Sequence, residues 1–172
     1  MRAVVVYESM YGNTHLIADS IAAGLEPVGE VVVVPVDEAT PEVVSGADLL
    51  VVGGPTHAHG LSRTATRASA VEMAAKDDDL ELDEDAEGPG LRDWFDTLGS
   101  LGLPAAAFDT RVKGPALLTG RASKGIAKRL RQIGCSLVAE PESFLVTKEN
   151  HLVDDEEAHA RRFGAELAAA AG

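Results

Sequence analysis

Ala3-Val4-Val5-Val6-Tyr7-Glu8-Ser9-Met10-Tyr11-Gly12-Asn13-Thr14 joins two patterns that together decide the fold. Ala3 to Val6 is uniformly apolar, the composition of a strand buried on both faces. Beyond Thr14, residues Ile17, Ala18, Ile21, Ala22 and Leu25 recur on one face at helical spacing. A loop rich in hydroxyl and amide groups therefore links a first buried strand to a first helix. In an open α/β sheet such a loop lies beyond the carboxyl end of its strand and feeds a helix N-terminus. Free N–H groups and the positive end of the helix dipole meet there, and a phosphate can bind.

The residue types sharpen that expectation. Ser9 and Thr14 offer O–H donors, Asn13 an amide donor, and Gly12 permits a positive φ. No Lys or Arg lies between Val4 and Ile21, so dipoles alone face the anion, which suits a monophosphate better than a triphosphate. Neither G-x-x-x-x-G-K-[ST] nor a G-x-G-x-x-G at this turn is present, which excludes the P-loop and dinucleotide fingerprints.

Ser9-Met10-Tyr11-Gly12-Asn13-Thr14 resembles the phosphate-binding loop of the flavodoxin family, [ST]-x-[TY]-G-N-T. Downstream, Val51-Val52-Gly53-Gly54-Pro55-Thr56-His57 resembles that family's strand ending in G-[GS]-P-[TV] before a flavin-contacting loop. The resemblance implies an α/β fold: a doubly wound five-stranded parallel sheet in the order 2-1-3-4-5, forming a single domain with FMN as cofactor. It implies phosphate contacts from Ser9 to Thr14. Isoalloxazine contacts are implied for Pro55, Thr56, His57, His59 and Gly60, and for Thr119, Gly120, Arg121, Ser123 and Lys124. It departs from the family in lacking aromatic residues to sandwich the ring, in a chain only 4% aromatic. Arg121 and Lys124 stand where the family loop is acidic or aromatic. They are expected beside the ring, where a cation makes the flavin less reducing.

Apolar runs and helical patterns alternate along the chain, as in a parallel sheet covered by helices on both sides. Strands are expected at residues 2–7, 30–36, 48–53 and 114–118, with a fifth split by Pro141 into 136–139 and 143–147. Helices are expected at 13–25, 41–45, 64–76, 91–98, 123–133 and 154–170. The single Trp94, beside Phe95, is expected in the core. His15 is expected to face solvent.

The segment 77–90, between two helices, is an acidic insertion with eight acids in the eleven residues from Asp77 to Glu87. An EF-hand is excluded because Leu82 and Gly88 stand where that loop needs glycine and glutamate. The composition predicts a solvated, mobile segment that is dispensable for folding.

At 172 residues and 45% hydrophobic, the chain is long enough for one domain with a real core. No apolar run approaches the ~18 residues of a membrane span, and the chain opens directly into strand one, so a cytoplasmic location is expected. The one cysteine, Cys135, forms no internal disulfide and is expected to be buried and inert. A formal charge of −13 argues against nucleic-acid binding and suits a protein redox partner with a basic docking surface. His57 and His59 have no third ligand nearby to make a metal site.

These readings converge on an FMN-binding, flavodoxin-like electron-transfer protein. A quinone-type reductase acting on a small quinone-like acceptor is the alternative enzyme. A flavin-free binding module of the same fold is the alternative from another class; its phosphoacceptor variant fails because Gly53-Gly54-Pro55 stands where an Asp is required.

Overall fold

The computed structural model describes residues 1–77, 79–84 and 86–171. Strand β1 (Arg2–Tyr7) leads into α1 (Asn13–Leu25), a 3₁₀ turn (Glu26–Val28) and β2 (Glu30–Pro35). Then come α2 (Pro41–Ser45), β3 (Leu49–His57), β4 (Gly60–Leu61), α3 (Thr64–Ala74) and α4 (Leu91–Thr97). The chain continues through β5 (Pro104–Val112), α5 (Ala116–Thr119) and α6 (Ala122–Gln132). It closes with β6 (Ser136–Leu137), β7 (Glu142–Val146) and α7 (Glu156–Ala171).

The sheet runs β2-β1-β3-β5, and β5 then pairs with both β6 and β7. All these pairings are parallel. This is the expected doubly wound order, with the last strand broken around Pro141. Side chains alternate across it with period two. Val4, Val6, Leu50, Val52, Ala105 and Ala107 face one core with Leu91, Trp94 and Phe95 of α4 and Ile126 and Leu130 of α6. Ala3, Val5, Leu49, Val51, Ala106 and Phe108 face the other core with Ile17, Ile21 and Leu25 of α1 and Phe163 and Leu167 of α7. Trp94 is buried and donates its Nε1–H to the Ala39 carbonyl at 2.6 Å, satisfying its one polar atom inside the core. Cys135 is also buried, which pushes its thiol pKa up.

The fourth central strand lies earlier than expected. It is Pro104–Val112, whereas the expected stretch 114–118 contains the short helix α5 with Leu117 and Leu118 exposed to solvent. Ala105-Ala106-Ala107 has little intrinsic strand preference. It is pleated here because β3 and β6/β7 flank it and helices pack on both its faces. Strand β3 also runs on to His57 and folds back as β4 in an antiparallel hairpin, Thr56 opposite Leu61 and His57 opposite Gly60. Its two turn residues, Ala58 and His59, have φ of 45° and 74°, the geometry of a tight hairpin turn.

The acidic segment does not behave as a free loop over its described part; Asp78 and Asp85 lie outside the described residues. Asp83 donates its N–H to the Met10 carbonyl at 2.8 Å. Ala86 is buried with Met10 and Ala70, and Leu82 packs against them. Asp83 Oδ2 lies 3.4 Å from His15 Nδ1. His15 in turn stacks on Tyr7 at 4.3 Å between centroids rather than facing solvent alone. The apolar Leu82 and Ala86, diluted among acids, are the anchor that composition concealed.

Helices α1 and α7 cross at two glycines. A Cβ on Gly24 would stand 2.1 Å from the Arg161 carbonyl oxygen, and one on Gly164 would stand 2.1 Å from the Ile21 carbonyl oxygen. Both obstacles are backbone, so the helices must part to admit a methyl. Gly164→Ala is therefore expected to lower stability by about 1–3 kcal/mol in urea unfolding. Gly99→Ala, where nothing lies within 4 Å, serves as the near-neutral control. Equal stability of the two variants would show that the crossing is loose.

Candidate functional site

Parallel pairing brings the carboxyl ends of β1, β3 and β5 to one edge of the sheet. There the Glu8 N–H donates to the Gly53 carbonyl at 3.0 Å, tying the loop after β1 to β3. Gly12 precedes α1 with φ of 86°, a left-handed turn open to glycine without strain. Its N–H donates to Ser9 Oγ at 3.1 Å, which leaves the serine proton for another acceptor. Leu16 donates to the Gly12 carbonyl at 3.0 Å as the first helical bond. The N–H groups ahead of it, in the first turn, have no intrahelical partner.

How the helix ends are capped separates them. Leu91 at the start of α4 donates its N–H to Glu8 Oε2 at 2.9 Å. In α6 the Ala122 N–H goes to Thr56 Oγ1 at 2.9 Å and the Ser123 N–H to Asp109 Oδ2 at 2.7 Å. Helix α1 instead begins at Gly12, an N-cap without a side chain, with the buried Asp83 carboxylate against His15 in its first turn.

A cleft of about 180 Å³ opens in front of α1. It is lined by Ser9, Met10, Tyr11, Asn13 and Thr14, by Pro55, Thr56 and His57, and by Thr110, Arg111, Val112, Val146 and Asn150. Thr14 and Thr110 share a buried hydrogen bond between their hydroxyls at 2.7 Å, which fixes the loop against the end of β5. The Asn13 amide donates to the Asn150 carbonyl at 2.9 Å, so it braces the rim rather than standing free. The Tyr11 hydroxyl donates to the Ala70 carbonyl at 3.0 Å, and burial pushes its pKa up. Arg111 brings a cation from β5 that a reading of the first loop alone omits. Its Nη1 donates to the Gly114 carbonyl and to Thr119 Oγ1, while its buried Nε has no partner.

The residues expected around the ring fall into three places. Pro55, Thr56 and His57 line the cleft. His59 and Gly60 sit on the hairpin beside it, where His59 bridges to Gly120. Thr119 accepts from Arg111, and Ser123 is buried at the start of α6. Arg121 and Lys124 are not brought to the cleft. They line a separate cavity with Glu140, Pro141 and Glu142, and Arg121 donates to Ser143 Oγ and the Pro141 carbonyl. The later position of the expected fourth strand had placed them too close to the ring. Among the described residues no three His, Cys, Asp or Glu side chains gather to hold a metal ion.

Two buried carboxylates escaped the sequence reading. Glu8 accepts from Ser62 Oγ as well as from the Leu91 N–H. Asp109, fully buried, accepts from the Ser123 N–H while its Oδ1 has no partner. Burial pushes the Asp109 pKa up, against hydrogen bonds from Ser123 and Ser143 and the charge of Arg121. The His57 pKa is pushed down, chiefly by burial and further by Arg67, with Glu8 opposing.

The flavodoxin family model matches residues 5–93, half of the chain and all of the loop and hairpin just described. The chain is similar in structure to a flavodoxin from the domain Archaea (TM-score 0.67, 20% identity, 99% of each chain covered). Flavodoxin 1 of Bacillus cereus aligns with TM-score 0.66 and 22% identity over 97% of each chain. Flavodoxin 2 of the same organism gives 0.68 and 22%, over 98% of this chain and 99% of the other. No curated protein sequence matches. The chain belongs to the flavodoxin family; it is an FMN-binding electron-transfer protein. The glycine N-cap of α1 and the Ser9 hydroxyl proton fit the FMN phosphate.

Asp109 yields a pH test. Its native pKa lies above the unfolded value of about 3.9, so the native state holds the proton more firmly. The stability this contributes is complete below the unfolded pKa and is lost as pH rises through the native value. Asp109→Asn removes that dependence. Urea unfolding is expected to show the wild type losing ground to Asp109→Asn between pH 4 and pH 7. A constant difference between the two proteins would place the carboxyl in a solvated setting.

Proposed function

We propose that Ser9–Thr14 holds the FMN phosphate and that Pro55, Thr56, His57 and the hairpin residues His59 and Gly60 frame the flavin with Thr119 and Gly120. The observation that carries this reading is the cleft in front of α1, lined by Ser9, Met10, Tyr11, Asn13 and Thr14 together with Pro55, Thr56 and His57, where the helix starts at a glycine. When bound, FMN supplies the electron-accepting and electron-donating ring. The chain's own residues bind and orient it. Backbone dipoles of α1 meet the phosphate, Thr110 holds Thr14 in place, and Arg111 sets a positive charge at the cleft wall.

The electrons pass to or from a reactant outside the chain. A formal charge of −13 supports steered encounter with a protein redox partner carrying a basic docking surface. The cavity beneath the hairpin, next to the cleft, supports a small quinone-like acceptor as a second reading. The lone buried Cys135 is compatible with a reducing, cytoplasmic setting.

Affinity for flavins with and without phosphate tests the assignment. Loss of two charge-assisted hydrogen bonds, about 1.5 kcal/mol each, predicts that riboflavin binds on the order of 100-fold more weakly than FMN. Fluorescence titration of the flavin-free protein measures both constants. Equal affinities would remove the phosphate from the α1 N-terminus.

A further inference from the structure

The β3–β4 hairpin roofs a second cavity of about 300 Å³, lined by His57, Ala58, His59, Gly60, Leu61, Arg63, Thr66 and Arg92. His57 lines this cavity and the cleft alike, so the two are neighbours. In a chain of formal charge −13, this wall carries two arginines and two histidines and no carboxylate. The surrounding bases are matched: Arg67 pairs with Asp93 at 3.3 Å, and Arg129 pairs with Asp96. Among the described residues, neither Arg63 nor Arg92 pairs with a carboxylate. The buried acid nearest His57 in charge effect, Glu8, has its oxygens engaged by Ser62 and the Leu91 N–H.

The arginines are also held for a purpose beyond charge. Arg92 spends Nε on the Ser62 carbonyl at 2.9 Å and Nη2 on the Leu61 carbonyl at 3.3 Å. That fixes its guanidinium plane and leaves Nη1 for an incoming oxygen. Arg63 stands at the N-cap of the eleven-residue α3, whose first turn holds no acid, so the helix dipole adds to its charge. Thr66 bonds the Arg63 backbone in both directions, at 2.8 and 2.9 Å, and sets the base of the arginine. A volume near 300 Å³ is at the small end of ligand pockets, enough for one or two rings or a phosphate-bearing group.

We infer that this cavity binds the oxyanion of a small organic molecule, gripped by Arg63 and Arg92, and seats that molecule beside the flavin cleft against His57. The position beside a flavin rests on the function proposed above; the oxyanion site itself rests on the cavity wall. An oxyanion here meets a wall of two arginines on a chain of net negative charge, so the site selects its ligand by charge as well as by size.

The test uses the FMN-loaded protein, so that the phosphate loop is filled, and three probes: 1,4-naphthoquinone-2-sulfonate, neutral 1,4-naphthoquinone and inorganic phosphate. Binding is read from the imidazole NMR signals of His57 and His59 and by calorimetry. The sulfonate is expected to shift both histidines and to bind about tenfold more tightly than the neutral quinone. Arg63→Gln is expected to abolish that preference with an unchanged melting temperature, and Arg63→Lys to restore part of it. Phosphate that shifts the same signals and competes with the sulfonate shows that the oxyanion alone is recognised; phosphate without effect shows that the ring is needed as well. Equal affinities for the charged and neutral quinones, or an Arg63→Gln protein that keeps the preference, would overturn the inference. Flavin absorbance near ~450 nm is followed in the same samples. A protein that fails to load FMN but still shows the histidine shifts contradicts the flavin placement and leaves the oxyanion site standing.

Discussion

Parallel pairing of β1 with β3 and of β3 with β5 is the constraint on which the site depends. It stacks three strand ends at one edge, so loops far apart in sequence converge there. Burial on both faces keeps the register, because a one-residue slip would turn every core side chain the wrong way. Thr14 and Thr110, 96 positions apart, then meet at 2.7 Å, and the Glu8 N–H reaches Gly53.

That edge concentrates helix N-termini, and their positive ends govern its charge. Glu8 is buried where α4 begins and Asp109 where α6 begins, each accepting a first-turn N–H. Burying a carboxylate is costly unless donors surround it, and these two are placed where backbone donors are otherwise unused. At α1 the helix starts from a glycine, and the buried Asp83 carboxylate lies against the His15 ring. In the function proposed above, the FMN phosphate meets the backbone dipoles of that helix's first turn.

Local patterns carried most of the fold. The Val4-Val5-Val6 run, the helical face from Ile17 to Leu25, Pro41 at the start of α2, and the break at Pro141 were legible because each is decided by neighbours in sequence. Strand β5 was not, since Ala105 to Ala107 becomes a strand through flanking strands and two helical layers. Leu117 and Leu118 had the apolar look of a strand yet lie exposed. The hairpin was hidden because Ala58 and His59 take positive φ without the glycine or asparagine that usually marks such a turn. In the site, the loop from Ser9 to Thr14 was legible as a motif. Glu8 and Asp109 were not, because a buried acid is recognisable only with its distant donors in view. Arg111 was missed for the same reason as β5, and Arg121 and Lys124 were drawn toward the ring by the misplaced strand.

The central claim is that the flavin's phosphate completes the N-terminus of α1. Amide NMR of the protein during titration with FMN tests it most directly, since a charged acceptor shifts the N–H groups that point at it. The account predicts the largest shifts at Gly12, Asn13, Thr14 and His15, with those shifts sharply reduced when riboflavin replaces FMN. Large FMN-specific shifts at the starts of α4 or α6, with the α1 amides unmoved, would contradict it.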